Sequence, residues 1–375
     1  MNNIGKLIYA SSERCADLLY LTGFQAEDPF FYFKNGDSET MIVSELELGR
    51  AKKQRRENVK VVSYSQALEL FGVSSFSPQN IVSGLANSLK INEWNVNEDF
   101  PIGLAENVRK LLPEIKFIPL EEFCPERNVK NAKEIELIRK AEQVAEKALA
   151  KGIEMIANAT VANDGLLLLN GEPLTSELLH GEVNAELVRN GGFSTSTIIA
   201  PGVQAADPHQ AGFGPIYANQ PIVFDIFPRT TSGYFGDLSR TVLKGNAPEI
   251  VAKAFDAVKD AQRRVIDALK PGMTGIEAHT MAANILESHG FKTDRRAETP
   301  YGFFHGLGHG VGLEIHEEPC LNTRNDKPLA AGNVVTVEPG LYYPEWGGIR
   351  IEDIVAITDT SSNDLTSAPI FLEIE

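Results

Sequence analysis

Residues 221–227, with the sequence Pro-Ile-Val-Phe-Asp-Ile-Phe, place an acid in the middle of an apolar strand pattern. Burying an unpaired carboxylate costs several kcal/mol even after the surroundings relax. Asp225 therefore requires either a nearby cation or a full set of hydrogen-bond donors, and the fold has to supply it. An ion pair with a buried arginine and a bound metal ion explain this residue equally well when it is taken alone.

A second acid, Asp237, follows twelve residues later. The Thr-Thr-Ser-Gly sequence at residues 230–233 has the composition of a turn, which predicts that one strand folds back beside the other. Antiparallel neighbours would bring both carboxylates to one face, a few ångströms apart. Like charges at that distance repel unless a divalent cation lies between them, so the pair favours a metal centre.

Two histidines, His305 and His309, lie four residues apart in a glycine-rich run. On a helix this spacing would direct both side chains at one metal, but the five glycines of residues 302–312 would each cost about 1 kcal/mol in a helix interior. The run is therefore predicted to be a strand or loop whose backbone lies close to another segment. In an extended strand the two side chains share a face at about 13 Å, so one is expected to be a ligand and the other to reach a substrate.

The seven histidines fall into two groups. Those near acids in strand-like sequence are interpreted as functional: His209, His305, His309 and His316. Those on predicted helices or at their ends are interpreted as structural: His180, His279 and His289.

Two glutamates complete the candidate set. Glu338 follows the apolar alternation of residues 335–337 and precedes a Pro-Gly turn signal, and Glu352 follows Arg350 by two positions. In a strand Arg350 and Glu352 project to the same side, so an ion pair is the simplest interpretation of these two residues. That pair does not account for Glu338 or for the aspartates. Carboxylate oxygens with one imidazole suit Mn²⁺, Co²⁺ or Zn²⁺ better than a metal that prefers thiolates.

The length of 375 residues is too great for one ordinary core and predicts two domains of unequal size. Up to about residue 125, strand patterns alternate with helical ones, whereas from Asn131 the chain becomes strongly helical. The boundary is expected within residues 125–131, and helices with antiparallel-looking strands in the second part indicate an α+β fold. The predicted helices are 65–71, 78–89, 133–157, 174–189, 248–269 and 275–289, and the predicted strands are 6–10, 30–33, 40–43, 196–200, 221–228, 333–338 and 348–357.

Composition excludes several classes of partner. A net charge of −16 disfavours nucleic acids and anionic membranes, because binding to them depends on clustered Lys and Arg. No apolar run is long enough to span a bilayer, and residues 1–6 lack an export signal, so a cytoplasmic location is expected. The three cysteines, Cys15, Cys124 and Cys320, are odd in number and far apart, which predicts neither disulfides nor a thiolate zinc site.

The order of these motifs closely resembles the pita-bread metallopeptidases, and within them the Xaa-Pro peptidases, proline dipeptidase and aminopeptidase P. Residues 14–24 resemble the N-terminal domain of that family, and residues 133–135 resemble the start of its catalytic domain. The resemblance implies an α+β chain with a smaller N-terminal α/β creatinase-like domain, residues 1–128. A C-terminal pita-bread catalytic domain of the creatinase/aminopeptidase type, residues 129–375, would follow.

The resemblance also implies a role for each site residue. Two divalent metal ions, with Mn²⁺ the first candidate and Co²⁺ or Zn²⁺ the alternatives, would be held by Asp225, Asp237, His309, Glu338 and Glu352. Of these, Asp237 and Glu352 would bridge the two ions, and Glu338 would also carry a proton to the leaving nitrogen. His209, His305 and His316 match positions that contact substrate and stabilise the tetrahedral intermediate, and Arg350 matches an arginine that helps to fix the site.

The implied reaction is hydrolysis of the peptide bond preceding proline by a metal-bridging hydroxide, with short proline-containing peptides as substrates and a homodimer as the assembly. Nothing in the sequence decides between a dipeptidase and an aminopeptidase. Two departures from the family pattern occur: residues 225–237 are one residue longer than usual, and Asp207 stands where an apolar residue commonly precedes the Pro-His of His209.

Three other interpretations stay open. Methionine aminopeptidases share the fold and the five ligands but usually lack the N-terminal domain, a counterpart of His305 and the Arg-x-Glu formed by Arg350 and Glu352. Creatinase-like and ectoine hydrolases share the two-domain plan, which keeps an amide hydrolase of a small non-peptide substrate as an alternative. A non-catalytic pita-bread binding module is the third, although such proteins lose metal ligands that this chain retains.

Overall fold

The computed structural model describes residues 4–375. The chain divides into two compact units, Met1–Arg127 and Asn128–Glu375. Residues 1–3, which belong to the predicted domain 1–128 and to the segment predicted to lack an export signal, lie outside the described residues. Among the residues that are described, no helix combines the length and the apolar character needed to cross a membrane.

Strands and helices are interspersed along the N-terminal unit, as the sequence patterns predict. Its strands are β1 (Ile4–Ala10), β2 (Phe30–Asn35), β3 (Ser38–Val43), β4 (Val59–Ser63), β5 (Glu93–Asn97) and β6 (Lys116–Leu120). Its helices are α1 (Ala16–Thr22), α2 (Leu48–Gln54), α3 (Tyr64–Phe71), α4 (Pro78–Leu89) and α5 (Ile102–Leu111). The strands form one mixed sheet in the order β4-β3-β2-β1-β5-β6. Helix α4 begins as predicted, because the Ser77 side chain accepts a hydrogen bond from the N–H of Asn80 and Pro78 occupies the first helical position.

Four helices of the second unit lie close to their predicted bounds: α6 (Ala132–Ala157), α7 (Ser176–Arg189), α8 (Glu249–Ala268) and α9 (Gly275–Ser288). Helix α6 starts at a capping box, in which the Asn131 side chain accepts from the N–H of Glu134 and the Glu134 carboxylate accepts from the N–H of Asn131. Helix α7 starts two residues later than predicted, because Thr175 caps its first turn.

The strands of the second unit are mostly short. They are β7 (Thr160–Val161), β8 (Leu167–Leu169), β9 (Glu172–Pro173), β10 (Gly192–Phe193), β11 (Ile198–Pro201), β12 (Ile222–Ile226), β13 (Arg229–Thr230), β14 (Leu238–Lys244), β15 (Gly308–Gly310), β16 (Glu317–Leu321), β17 (Val334–Val337), β18 (Gly340–Tyr343), β19 (Gly347–Arg350), β20 (Asp353–Ile357), β21 (Ser362–Asp364) and β22 (Glu373–Ile374). One sheet has the order β11-β12-β14-β22, another the order β16-β15-β17-β20-β21, and β18 pairs with β19. Helices α6 and α7 share a buried core with the first sheet, and α8 and α9 share one with the second. The α+β fold class is thereby confirmed.

One predicted strand is wrong, and the glycine-rich run, predicted as a strand or loop, contains both. The strand predicted at residues 348–357 is two strands, β19 and β20, in different sheets. The chain leaves β19 after Arg350, and the N–H of Glu352 bonds instead to the carbonyl of Ser239. In the glycine-rich run only residues 308–310 form a strand, so His309 lies in β15 whereas His305 lies in an irregular segment before it.

Candidate metal centre

The glycine-rich run is required by the close approach of neighbouring strands. Strand β15 pairs with β16 on one side and with β17 on the other. A Cβ atom on Gly308 would lie 2.1 Å from the carbonyl oxygen of Thr336, and one on Gly310 would lie 2.5 Å from that of Glu317. Neither position could carry a side chain, which agrees with the prediction that this backbone lies close to another segment. His309 is held between these two contacts.

Asp225 lies in β12 and Asp237 lies just before β14, the antiparallel neighbour of β12, as the turn at residues 230–233 predicts. Strand β12 pairs with β14 so that Asp225 lies opposite Ser239, and Asp237 immediately precedes β14. The N–H of Asp237 donates to the buried carboxylate of Glu142 at 2.8 Å. The extra residue between the aspartates therefore does not prevent their strands from pairing.

Three of the other four predicted metal ligands converge around His309. One ligand atom from each of Asp237, His309 and Glu352 lies within 4.8 Å of the other two. The His309 Nε2 atom is 3.5 Å from Asp237 Oδ2 and 3.3 Å from Glu338 Oε1. The fifth predicted ligand, Asp225, has its Oδ2 atom 2.6 Å from Arg350 Nη2.

Arg350 forms its ion pair with Asp225 and not with Glu352, which was the simplest interpretation of the strand pattern. Its Nη2 atom donates to Asp225, and its Nε atom donates to Ser239 Oγ at 2.9 Å. That same hydroxyl donates to Glu352 Oε2 at 2.7 Å, so Ser239 separates the two side chains. The cause is the end of strand β19 at Arg350, which takes Glu352 out of the expected strand geometry.

Burial and mutual repulsion keep the carboxylates from ionising freely. Burial, followed by the charge of Glu352, raises the pKa of Asp237 well above its usual value. Burial, followed by the charges of Glu338 and Asp225, does the same to the pKa of Glu352. The pKa of Asp225 is also raised by burial, although the positive charge of Arg350 opposes this. In all three acids burial opposes ionisation, an effect that a bound cation would counteract.

Glu338 and His309 form an exception within this cluster. Burial opposes ionisation of Glu338, but the hydrogen bond and charge of His309 hold its pKa at about 2. Burial likewise opposes protonation of His309, and Glu338 outweighs it, so the pKa of His309 is raised. A set of four carboxylates and one imidazole, most of whose negative charge is unbalanced, fits divalent cations that prefer oxygen ligands.

All nine predicted site residues line one cavity of about 780 Å³. They are Asp225, Asp237, His309, Glu338 and Glu352, with His209, His305, His316 and Arg350. Asp207, Phe227, Phe304 and Ile315 also line it, so the walls combine apolar surface with a few convergent polar groups.

The three remaining histidines of the cavity differ in their burial and in the residues that they contact. The His305 Nε2 atom lies 3.1 Å from the hydroxyl of Tyr342, and the His316 ring packs edge-on against His309 with centroids 4.4 Å apart. Burial lowers the pKa of both His305 and His316, which favours their neutral forms. His209 is exposed, and its N–H donates to Asp207 Oδ1 at 3.1 Å.

Several residues that contact the site were missed in the sequence. Tyr342 is fully buried, and its hydroxyl bonds both His305 and, at 2.8 Å, Arg350 Nη1. Thr336 Oγ1 accepts from the N–H of His309 at 3.1 Å and donates to Glu338 Oε1 at 3.3 Å. For Thr336 the available signal was a hydroxyl within the apolar pattern of β17, since a buried hydroxyl needs a partner.

The three histidines predicted to be structural lie on helices or at their ends. His180 is in α7 with its Nε2 atom 2.8 Å from the carbonyl of Ala211, and His289 follows α9 and bonds Asp260. His279 is in α9, is 4% exposed and stacks on the Phe303 ring at 5.0 Å. None of the three lines the cavity of the candidate site.

Replacing His279 with phenylalanine is expected to reduce the loss of stability in acid. Burial lowers the pKa of His279 from 6.5 to about 4. Between pH 6.5 and pH 4, His279 is protonated in the unfolded chain but stays neutral in the folded chain. The free energy of unfolding therefore falls as the pH drops from 6.5 towards 4. This shift corresponds to roughly 3 kcal/mol of unfolding free energy at pH 4, which the variant would retain. Urea unfolding of the wild type and the variant at pH 7 and pH 4 measures this difference in the free energy of unfolding. An equal loss of stability in the two proteins would contradict the lowered pKa of His279.

Comparison with known proteins identifies both units. The model for "Metallopeptidase family M24" matches residues 136–359, and that for "Creatinase/Prolidase N-terminal domain" matches residues 7–127. The chain is 28% identical to the Xaa-Pro dipeptidase of Pyrococcus furiosus over 97% of this chain and 94% of the relative. Among solved structures, the prolidase of Pyrococcus horikoshii OT3 superposes with a TM-score of 0.79 at 28% identity, covering 98% of this chain and 95% of its own. The X-Pro aminopeptidase of Thermotoga maritima MSB8 gives a TM-score of 0.81 at 25% identity, covering 99% and 97%.

Proposed function

The chain belongs to metallopeptidase family M24, and from this membership we propose that it hydrolyses the peptide bond preceding proline in short peptides. The observation that carries the proposal is the convergence of the complete ligand set and three further histidines on one cavity. Similarity to an Xaa-Pro dipeptidase along 97% of the chain, including the N-terminal unit, favours this reaction over that of a methionine aminopeptidase.

Two divalent cations would be held by Asp225, Asp237, His309, Glu338 and Glu352, with Mn²⁺ the first candidate and Co²⁺ or Zn²⁺ the alternatives. When bound, such ions supply Lewis acidity and lower the pKa of a coordinated water to near neutrality. The raised pKa values of Asp237 and Glu352 support this assignment, because cations would remove the repulsion that raises them.

The chain itself supplies proton transfer and orientation. Glu338 is ionised beside His309, so its Oε1 atom is placed to accept a proton and deliver it to the leaving nitrogen. His316 can donate an N–H to the developing oxyanion, because its lowered pKa favours the neutral ring, which keeps one N–H. The single N–H of a neutral His305 donates from Nδ1 to the Gly306 carbonyl, so this residue would contact the substrate by its position in the cavity. The Tyr342 hydroxyl fixes the ring of His305, and Arg350 orients Asp225.

Proline gives such an enzyme its specialised role. An Xaa-Pro bond has no N–H on its nitrogen and carries a ring with a fixed backbone angle, so it fits poorly in sites built for ordinary peptides.

The division into domains 1–128 and 129–375, the homodimer and the cytoplasmic location are parts of the same proposal.

The proposal is tested by hydrolysis of Ala-Pro beside Ala-Pro-Ala, with Met-Ala-Ser as the control, in Mn²⁺ and after chelation. We expect metal-dependent cleavage before proline and no cleavage of the control. Cleavage of the dipeptide alone would identify a dipeptidase, and cleavage of the tripeptide an aminopeptidase P.

Other outcomes would select an alternative. Cleavage of Met-Ala-Ser would indicate a methionine aminopeptidase. No cleavage of any peptide by a metal-loaded protein would indicate an amide hydrolase of a small non-peptide substrate. Failure to bind metal at all, measured by elemental analysis, would indicate a binding module.

A further inference from the structure

Arg240 is a buried arginine of strand β14 with every one of its five N–H groups hydrogen-bonded. Its Nη1 atom donates to the carbonyl oxygens of Ser239 at 2.9 Å and Glu352 at 2.7 Å. Its Nη2 atom donates to Asp353 Oδ1 at 2.7 Å. The remaining two N–H groups, on Nη2 and Nε, donate to the carbonyls of residues 368 and 369 at 2.8 Å and 3.2 Å.

These bonds tie together the two chain segments that carry Asp237 and Glu352. Ser239 and Glu352 form a bridge between those segments, in which the Glu352 N–H donates to the Ser239 carbonyl at 3.1 Å. Arg240 donates to the carbonyl oxygens of both Ser239 and Glu352. Asp353, its ion-pair partner, is held in turn by Gln262 of helix α8. The guanidinium therefore fixes the backbone on both sides of the bridge.

Asp237 is linked by hydrogen bonds through Glu142 to Thr366, which lies close in sequence to residues 368 and 369. The carboxylate of Glu142, which is fully buried in helix α6, accepts from the Asp237 N–H at 2.8 Å and from Thr366 Oγ1 at 2.9 Å. Thr366 Oγ1 also accepts from the N–H of Ile354 at 3.0 Å. Residues 366–369 thus contact both Arg240 and Glu142, and each of these holds the backbone of one candidate ligand.

Arg240 and Arg350 donate hydrogen bonds to different kinds of acceptor. Arg350 lines the cavity and binds the Asp225 carboxylate, whereas Arg240 is absent from the cavity wall and binds four backbone carbonyls and Asp353. A guanidinium with no donor left over cannot bind substrate or metal directly. Its effect on the site has to pass through the residues that it holds.

We propose that Arg240 and residues 366–369 are positioning elements of the metal centre, which hold the backbones of Asp237 and Glu352 in fixed register. The inference rests on the metal centre of the proposed function but not on its preference for proline. Partners behind metal ligands change metal affinity or activity by about 10–100-fold when they are removed.

The test replaces Arg240 with lysine, which keeps the charge and removes the planar five-donor fork. Mn²⁺ is titrated calorimetrically into the metal-free wild type and the variant, and Ala-Pro hydrolysis is measured on both. Arg240→Lys is expected to weaken Mn²⁺ binding by about 10–100-fold and to lower kcat at saturating metal while changing KM little. A variant that loses thermal stability but binds Mn²⁺ and turns over like the wild type would reduce Arg240 to a structural role.

Arg127→Lys is the matched control, because it makes the same replacement in the Arg127–Asp17 ion pair of the N-terminal unit. It should lower stability without changing Mn²⁺ affinity. If Arg240→Lys does not fold, as judged by circular dichroism, Thr366→Val decides the question, since it removes only the hydroxyl between Glu142 and Ile354. Weaker Mn²⁺ binding by Thr366→Val would support the proposal, and unchanged binding would overturn it.

Metal titration separates this inference from the proposed function. A wild type that binds Mn²⁺ but cleaves no Xaa-Pro peptide would contradict the proposed specificity alone. Weakened binding by Arg240→Lys in that same protein would still support the positioning role.

Discussion

Replacing Asp237 with asparagine is expected to lower kcat/KM for an Xaa-Pro peptide at least about a thousandfold, or about 4 kcal/mol of transition-state stabilisation. Asp237 is 3% exposed, and its Oδ2 atom lies 3.5 Å from His309 Nε2 within the candidate ligand cluster. A neutral amide is a far poorer ligand for a divalent cation than a carboxylate. We expect His309→Ala to cause a similar loss, measured by steady-state hydrolysis in metal-replete buffer.

The fold should survive the Asp237 substitution. Burial and the charge of Glu352 raise the pKa of Asp237, so ionising this residue costs stability at neutral pH when no metal is bound. The isosteric amide removes that cost, and the metal-free variant should unfold at the same temperature as the wild type or a higher one. Asp256→Asn, on the exposed face of helix α8, is the matched control. Retention of more than a few per cent of wild-type turnover by Asp237→Asn would mean that the metal centre is assigned wrongly.

Local patterns predicted most of the fold because the signals lie within a few residues of one another. Helix α4 starts at its predicted residue and α6 starts one residue before it, because Ser77 and Asn131 cap these helices through residues within three positions. The break between β19 and β20 was not predictable in this way. It depends on a hydrogen bond from Glu352 to Ser239, more than a hundred residues away in the chain, which no local pattern records.

The same distinction holds for the candidate site. The acids and histidines could be picked out because a charge in an apolar strand pattern needs a partner. Which partner it takes depends on tertiary contacts. The ion pair between Arg350 and Glu352, the simplest interpretation of the local pattern, does not form for that reason, because Arg350 bonds Asp225 instead. Tyr342 and Glu142 went unnoticed because a tyrosine in a hairpin and a glutamate on a helix are ordinary residues there. Their roles arise only when distant segments pack against them.

Asp225 remains the residue for which the two sequence interpretations have to be separated by experiment. It forms the buried ion pair with Arg350 that the first interpretation describes, and it lines the cavity of the candidate metal centre that the second describes. The two differ in what happens when the arginine is removed. A plain ion pair loses its only cation, whereas a metal ligand keeps one.

Replacing Arg350 with methionine is therefore expected to destabilise the metal-free protein by about 3–5 kcal/mol, the usual cost of leaving a buried charge without its partner. In the Mn²⁺-loaded protein the loss should be much smaller, because bound cations would compensate Asp225. Urea unfolding after chelation and in saturating Mn²⁺ measures both values. The matched control is the double variant Asp225→Asn, Arg350→Met, which removes both charges and should recover most of the lost stability without metal. Equal destabilisation of Arg350→Met in the two conditions would mean that Asp225 serves the ion pair alone and that the metal centre lacks it.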